Sequence, residues 1–439
     1  VKNALLMKGL LVSLLALILW VPLSMIEHTI EERTRYRAEA VNAIAASSAG
    51  EQKLWGPVLT VQVEEEFDEE ISGWTPVNGK KGYARRSRSH VITVQPESVD
   101  FQGSMVVEKR AFGLYSTPVY ELHAVLSGQF VTPSVRALPA LGPNATLKWG
   151  VPVLSVGVAD TRGISGAPKV LLANRELSTA RGSVAEAFKT GFHASGPTAV
   201  DGNPTALTFS VDMQLAGTSA FGFVPTGEVS TATLSGNWPH PSFGGDFLPR
   251  SRTLDKNTFT AQWGTTALAS TGVADSTHEA RGFQVKLIEP VDVYQQAMRS
   301  VKYGFLFIAL SFASFFLFEQ IKQLRIHPIQ YALVGLAQAV FFLLLTSLSE
   351  HLSFAAAYGA AAVASVGLVG TYLASVLRST PRAMGFGAAM ATLYGALYGI
   401  LQSEQNALLL GSVLLFLVLA AFMLGTRRVD WYGAGAERS

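Results

Sequence analysis

The 439-residue chain has no cysteine. This excludes a disulfide framework, a thiolate nucleophile and any Cys-ligated zinc, iron or haem site; it leaves the redox compartment open. Charge is scarce, at 15% of residues, and nearly balanced, with 34 Lys and Arg against 32 Asp and Glu. The single basic block, Arg85, Arg86 and Arg88, is short, so nucleic acid is excluded as a partner class. No close histidine pair, His-Glu-x-x-His or Gly-x-Ser-x-Gly element occurs. The sequence therefore predicts no metal site, no cofactor and no enzymatic activity. Apolar residues, by contrast, make up 49% of the chain. With a mean hydropathy of +0.29, the chain is neither disordered nor fibrous and is greasy for a soluble protein.

The ionisable residues divide the chain in two. Residues 27–298 hold 27 acidic and 23 basic residues, net −4, whereas the rest hold 5 and 11, net +6. Residues 4–26 carry one charge, Lys8, and are long enough to cross a hydrocarbon core of about 30 Å. Trp20, Pro22 and Met25 lead into Glu27 without a small-residue cleavage site, so this segment reads as a retained anchor. Five more apolar runs follow at 303–318, 329–348, 354–376, 384–401 and 407–425. Six spans put both termini on one side. Lys2, Lys8, Lys322, Arg325, Arg378, Arg382, Arg427, Arg428 and Arg438 all fall on that side. The intervening loops 348–353 and 402–406 carry Glu350 and Glu404 and no Lys or Arg. The positive-inside rule then predicts cytoplasmic termini and an extracytoplasmic 27–298, with Arg299 and Lys302 on the wrong side. Gly359, Gly367, Gly370, Gly385, Gly387, Gly395 and Gly399 predict close helix contacts in a compact bundle. Gln338, the one strongly polar side chain well inside a span, is expected to make an interhelical hydrogen bond.

The expected domains are an anchor (1–26), a β-rich periplasmic domain with a helical stalk (27–298), a five-helix bundle (299–426) and a cytoplasmic tail (427–439). Helical periodicity continues from 27 to 50 through Tyr36, Ala40, Ile44 and Ser47. From Gly56 the period becomes two, predicting short strands at 58–63, 90–94, 119–125, 207–211 and 283–287. Frequent turn signals make this a sandwich-like fold of two packed sheets. The acidic run 64–70 and the basic run 80–88 flank Gly73-Trp74-Thr75-Pro76, which predicts a charge-paired hairpin.

Candidate chemistry concentrates in 237–249, where three prolines and two glycines surround Trp238, His240, Phe243 and Asp246. No triad or metal set converges there in sequence, so a rigid structural or partner-binding loop is expected. Asp160 and Arg162 sit in an Asx-type turn after a strand. Glu350 and His351 stand at the outer end of the third span as a candidate proton site at the membrane boundary.

The whole chain resembles the CreD family of Gram-negative inner-membrane proteins. The likeness runs through Ile30-Glu31-Glu32-Arg33, Tyr36-Arg37, Gly56-Pro57 and Ser155-Val156-Gly157-Val158-Ala159-Asp160-Thr161-Arg162-Gly163-Ile164. It continues through 237–249, His327-Pro328-Ile329-Gln330-Tyr331, Leu348-Ser349-Glu350-His351, Ala407-Leu408-Leu409-Leu410-Gly411 and Asp430-Trp431-Tyr432. The resemblance implies a multi-pass protein of the Gram-negative inner membrane, in the setting of a two-component system for carbon source and envelope stress, with responses to β-lactams and tolerance to certain colicins. It implies no reaction. The partners expected are the lipid bilayer and an envelope protein or cell-wall component. A transporter or lipid-handling membrane protein is the alternative.

Overall fold

The computed structural model describes residues 2–71, 82–269, 282–289, 293–321, 326–377, 379–403 and 406–426. Outside them lie the Gly73–Pro76 turn with Lys80 and Lys81, the loop residues Lys322, Arg325, Arg378 and Glu404, and the tail 427–439 with its Asp430-Trp431-Tyr432 motif. The chain forms two compact units, one of Glu39–Pro290 and one of Val1–Ala38 with Val291–Ser439.

The unit Glu39–Pro290 is a sandwich. Among the described residues one sheet has nine strands and the other eight. The first sheet runs in the order Pro241–Gly245, Phe283–Leu287, Ala220–Val224, Gln52–Glu70, Val153–Val158, Gly191–Ser195, Thr179–Arg181, with Tyr83–Val94 and Thr146–Trp149 also paired to Gln52–Glu70. The second runs Ser251–Leu254, Phe259–Thr266, Val229–Gly236, Ser98–Phe112, Tyr115–Val131, Ala206–Thr218, Ile164–Leu172, Arg175–Leu177. Pairing is antiparallel except where Gln52–Glu70 meets Ala220–Val224 and where Val229–Gly236 meets Ser98–Phe112.

Alternation places the core. Along Ser98–Phe112 the buried side chains are Val99, Phe101, Met105 and Val107, one face of a pleated strand. They meet Leu54, Leu154, Phe221 and Phe223 of the other sheet in one cluster, with Phe101 stacked on Phe223 at 4.7 Å. The strands are longer than the sequence predicts: Gln52–Glu70 has 19 residues and Tyr115–Val131 has 17. The acidic stretch 64–70 of the first carries no apolar alternation for a period-two reading to find, while its register against Tyr83–Val94 keeps it extended. The hairpin carries its charges in register, Glu65 opposite Arg88 and Asp68 opposite Arg85.

The other unit has four helices long and apolar enough to cross a membrane: Met7–Ser47, Pro328–Ser349, Phe354–Leu377 and Thr380–Gln402. The expectation of six is corrected for the described residues. Two further apolar stretches, Gly304–Phe316 and Leu409–Ala420, lie within the helices Gly304–Ile321 and Ala407–Thr426, of 18 and 20 residues. The first helix is interrupted at Leu19, beside Pro22, whose missing N–H cannot bond the Ile18 carbonyl. The helix Pro328–Ser349 starts in a capping box: His327 Nδ1 accepts from the Ile329 N–H at 3.3 Å, and Gln330 Oε1 accepts from the His327 N–H at 3.2 Å.

The seven glycines do not serve close packing as expected. A Cβ added to Gly359, Gly367, Gly370, Gly385, Gly395 or Gly399 would meet nothing within 4 Å, and one on Gly387 would meet only Val366 at 3.9 Å. Aromatic rings pack between neighbouring helices, with Tyr394 at 4.5 Å from both Phe307 and Phe341. The small residues line an open groove of about 690 Å³ between Phe354–Leu377 and Thr380–Gln402, bordered by Tyr358, Gly359, Val363, Gly395 and Tyr398. Gln338 is also corrected: it is fully buried, and neither polar atom of its amide has a hydrogen-bond partner among the described residues.

Candidate functional site

The segment 237–249 is the corner at which the chain leaves one sheet for the other. Val229–Gly236 belongs to the eight-stranded sheet, Pro241–Gly245 to the nine-stranded one, and Ser251–Leu254 to the eight-stranded sheet again. Sandwich corners need irregular backbone, and the prolines and glycines supply it. Asn237 opens the corner by clamping the neighbouring strand: its Oδ1 accepts from the Val107 N–H at 2.6 Å and its Nδ2 donates to the Val107 carbonyl at 3.3 Å. Trp238 is 7% exposed and donates its indole N–H to the Ile288 carbonyl at 3.1 Å, with Lys109 Nζ 5.8 Å from the ring centroid. Phe243 packs edge-on against Phe259 and Trp263 at 6.1 and 5.9 Å.

His240 and Asp246 do not meet. They flank the two ends of the extended strand Pro241–Gly245, about 20 Å apart at roughly 3.3 Å per residue. His240 is exposed, and its carbonyl accepts from the Ile288 N–H at 3.3 Å. Asp246 accepts from the Gly282 N–H at 3.0 Å through its carboxylate and donates its own N–H to the Gly282 carbonyl at 2.9 Å. An acid–base pair needs hydrogen-bond reach, which this strand prevents.

Asp160 and Arg162 clasp the end of the helix Trp20–Ser47. Arg162 Nη1 donates to the Ala46 carbonyl at 2.8 Å, satisfying one of the last helical acceptors. Asp160 holds that guanidinium through contacts of 2.6 and 3.0 Å and accepts from the Gly50 N–H at 3.2 Å. The Arg162 side chain is the main reason the Asp160 carboxyl is pulled down to about 2. Gln52 completes the clasp, donating to the Asp160 and Ala216 carbonyls at 2.9 and 3.0 Å.

Sequence reading missed a third cluster. Glu65 is fully buried, with Arg88 Nε at 2.6 Å and Nη2 at 3.2 Å, His90 Nε2 at 2.7 Å and the Gly142 N–H donating at 2.7 Å. The Arg88 side chain, followed by His90 and the Gly142 amide, outweighs desolvation and lowers its pKa to about 2. Parity was the available signal: Glu65 shares the inward face of Val61 and Val63, and the surrounding acidic run hid it.

In the membrane unit Glu350 and His351 do not form a pair. Glu350 Oε1 accepts from the Tyr294 hydroxyl at 3.1 Å and lies 3.6 Å from Arg33 Nε, whereas His351 is exposed. The sequence reading also missed Glu319, because it ended that span at residue 318. Glu319 is buried and ion-paired with Lys8, accepts from the Tyr331 hydroxyl at 2.8 Å and from the Ile326 N–H at 3.3 Å, and Lys8 also donates to the Ile326 carbonyl at 2.7 Å. Among the described residues no three His, Asp or Glu side chains group as metal ligands.

Residues 4–432 match the family described as Inner membrane protein CreD. The chain is 35% identical over 423 residues to Inner membrane protein CreD of Escherichia coli (strain K12), covering 95% of this chain and 91% of that protein. Among solved structures, an M1 zinc metallopeptidase from Deinococcus radiodurans aligns at 6% identity and a TM-score of 0.22 over 44% of this chain and 42% of its own. A mutant of that peptidase bound to a Tyr-Ser-Ala substrate aligns at 8% identity, with the same TM-score and the same coverage of both chains. Likeness that slight carries no argument.

Proposed function

The chain belongs to the CreD family of inner membrane proteins, and from that premise we propose that it supports cell-envelope integrity and the envelope-stress response by binding a partner through its β sandwich, without catalysing a reaction. In this reading residues 27–298 face the periplasm and both termini face the cytoplasm. The helices Gly304–Ile321 and Ala407–Thr426, which contain the two shorter apolar stretches, also cross the bilayer and bring the spans to six. The partner is an envelope protein or a cell-wall component. The alternation of basic and non-basic loops supports the topology.

One observation carries the non-enzymatic reading. The polar clusters at Asp160, at Glu65 and along 237–249 each join separate segments of the sandwich, and His240 and Asp246 are held apart by a strand. Photo-crosslinking groups placed on the exposed sandwich surface of the full chain, in native membranes, should capture a specific envelope component. Only random background from every position would overturn the reading. Reporter fusions at Gly50 and at the C-terminus should give periplasmic and cytoplasmic signals respectively, and matching signals would refute the topology.

The apolar groove of about 690 Å³ favours lipid handling as the second reading. Filling it with Gly395→Leu should then abolish envelope complementation while leaving the protein folded. Normal complementation by that variant would remove this reading and leave the first standing.

A further inference from the structure

We infer that a cleft in the sandwich is a binding site for a short peptide with a free terminal carboxylate, which the Arg175 guanidinium receives. The inference goes beyond capture of an envelope partner and does not rest on it. The cleft measures about 460 Å³, within the usual range of small-ligand sites. Leu172 and Leu207 line it from the eight-stranded sheet. Pro152, just before the strand Val153–Val158, and the loop 197–201, just after Gly191–Ser195, line it from the nine-stranded sheet.

Hydrogen bonds fix the walls before any ligand arrives. Buried Thr132 pins the end of the loop: its hydroxyl donates to the Asn203 carbonyl at 2.9 Å and accepts from the Thr205 N–H at 2.8 Å, and its own N–H donates to the Thr205 carbonyl at 2.9 Å. The Gly196 and Val200 N–H groups donate to the Pro152 and Gly150 carbonyls at 2.6 and 3.3 Å. Gly202, at φ +82°, lies against Trp149, where a Cβ would come 2.8 Å from the indole. On the opposite wall Ala173 and Asn174, at φ +50° and +59°, turn Ile164–Leu172 into Arg175–Leu177, and the Ala173 N–H donates to the Thr208 carbonyl at 2.9 Å. Asparagine tolerates that left-handed backbone, whereas alanine adopts it at a cost, and strain of this kind concentrates at ligand sites. Walls already in place lose little freedom on binding.

The groups left over define the ligand. Among the described residues, Arg175 and Asp201 are the two ionisable side chains that line the cleft. The Arg175 guanidinium is exposed and has no hydrogen bond or ion pair among those residues, so its fork of donors is open to a carboxylate. The Thr198 and Ala199 N–H groups are likewise unbonded among them and suit the carbonyls of an extended backbone. Asp201 accepts from the Asn203 N–H and Nδ2 at 3.0 and 2.9 Å, one on each oxygen, and each oxygen keeps a lone pair for an ammonium. One charge of each sign suits a zwitterion and disfavours a polyanion. Pro152, Leu172, Pro197 and Leu207 offer apolar surface to small side chains, and among the described residues no aromatic ring lines the cleft to stack a sugar or a base. A peptide of small residues meets all of these demands at once.

The test uses the full-length protein in detergent micelles. Isothermal titration with the tripeptide Ala-Ala-Ala should show saturable binding. The same peptide with its C-terminus amidated should bind more weakly by about tenfold or more, the loss of a charge-assisted hydrogen bond. Arg175→Gln should weaken the free acid to the level of the amide with an unchanged melting curve, because the guanidinium has no partner to lose. Asp201→Asn should erase the preference for a free over an acetylated N-terminus. Ala199→Trp, at an exposed position lining the cleft, should block both peptides. Equal binding of acid and amide, or free-acid binding that survives Arg175→Gln, would overturn the inference, as would the absence of saturation at millimolar peptide. Acetate binding as tightly as the peptide would reduce the site to a bare anion contact and overturn it as well. None of these failures would touch photo-capture of an envelope component, so the two readings fall separately.

Discussion

Replacing Gln338 by leucine should stabilise the membrane unit. The amide is fully buried in the helix Pro328–Ser349 with neither polar atom bonded among the described residues. A buried polar group without a partner costs about 1–3 kcal/mol. Leucine removes that penalty and keeps comparable side-chain bulk. Chains unfolded within a membrane also find partners for polar groups, so the low end, about 1 kcal/mol, is the expected gain. For a unit of this size that raises the melting midpoint by about 2–4 °C. The assay is thermal unfolding of the full chain in detergent micelles, followed by intrinsic fluorescence. Gln338→Ala serves as the control, because it removes the amide and leaves a cavity, and should melt below Gln338→Leu. A midpoint lower than wild type in Gln338→Leu would refute the reasoning and mean that the amide is bonded in the membrane.

Three other outcomes follow from the sandwich. Because Glu65 is held at about 2, below its ordinary 4.5, its contribution to stability is complete above about pH 4.5 and is lost as pH falls toward 2. Acid titration of the melting midpoint should show this loss in wild type, and Glu65→Gln should melt lower at pH 7 with a shallower acid limb. Gly163→Ala should cost about 1–3 kcal/mol, since its Cβ would come 2.2 Å from the Ala216 carbonyl oxygen and 2.3 Å from Gln52 Nε2; an unchanged midpoint would contradict the clasp. Trp238→Ala should cost about 3–5 kcal/mol, whereas His240→Ala and Asp246→Asn should stay below about 1 kcal/mol. Normal folding with failed complementation in the latter two would reopen a chemical role for the corner.

What the sequence made legible was whatever local periodicity or composition records. The inward alternation of Leu59, Val61 and Val63 was readable, as were the opposed charges of the hairpin, because both are properties of neighbours in the chain. The clasp was half-readable: Asp160-Thr161-Arg162-Gly163 announced a turn, but its target, the Ala46 carbonyl, lies more than a hundred residues away. Glu65 illustrates the opposite failure, a buried carboxylate disguised by the exposed acids around it. The glycines misled for a physical reason. Small residues permit close approach, but whether a neighbour arrives depends on the rest of the packing, and of the described residues only Val366 comes within 4 Å of a Cβ at these positions.

The pairing of Gln52–Glu70 has a consequence for the order of assembly during synthesis. Leu54 is placed by Val158 and Phe223, and the strand Ala220–Val224 is in turn held by Phe283–Leu287. The nine-stranded sheet cannot close until translation has nearly reached the helix Val293–Lys302. Closure over so much chain is slow, and an unpaired strand edge is a template for aggregation in the meantime. The first half of Gln52–Glu70 waits longest. Its second half meets Tyr83–Val94 at once, forming a hairpin that would be marginal alone but is laced by Asp68–Arg85 and Glu69–Arg86 ion pairs at 3.2 and 2.9 Å. The dense charge on these two arms thus gives the nascent chain a soluble, self-paired starter, and acts as a gatekeeper for the hydrophobic half behind it.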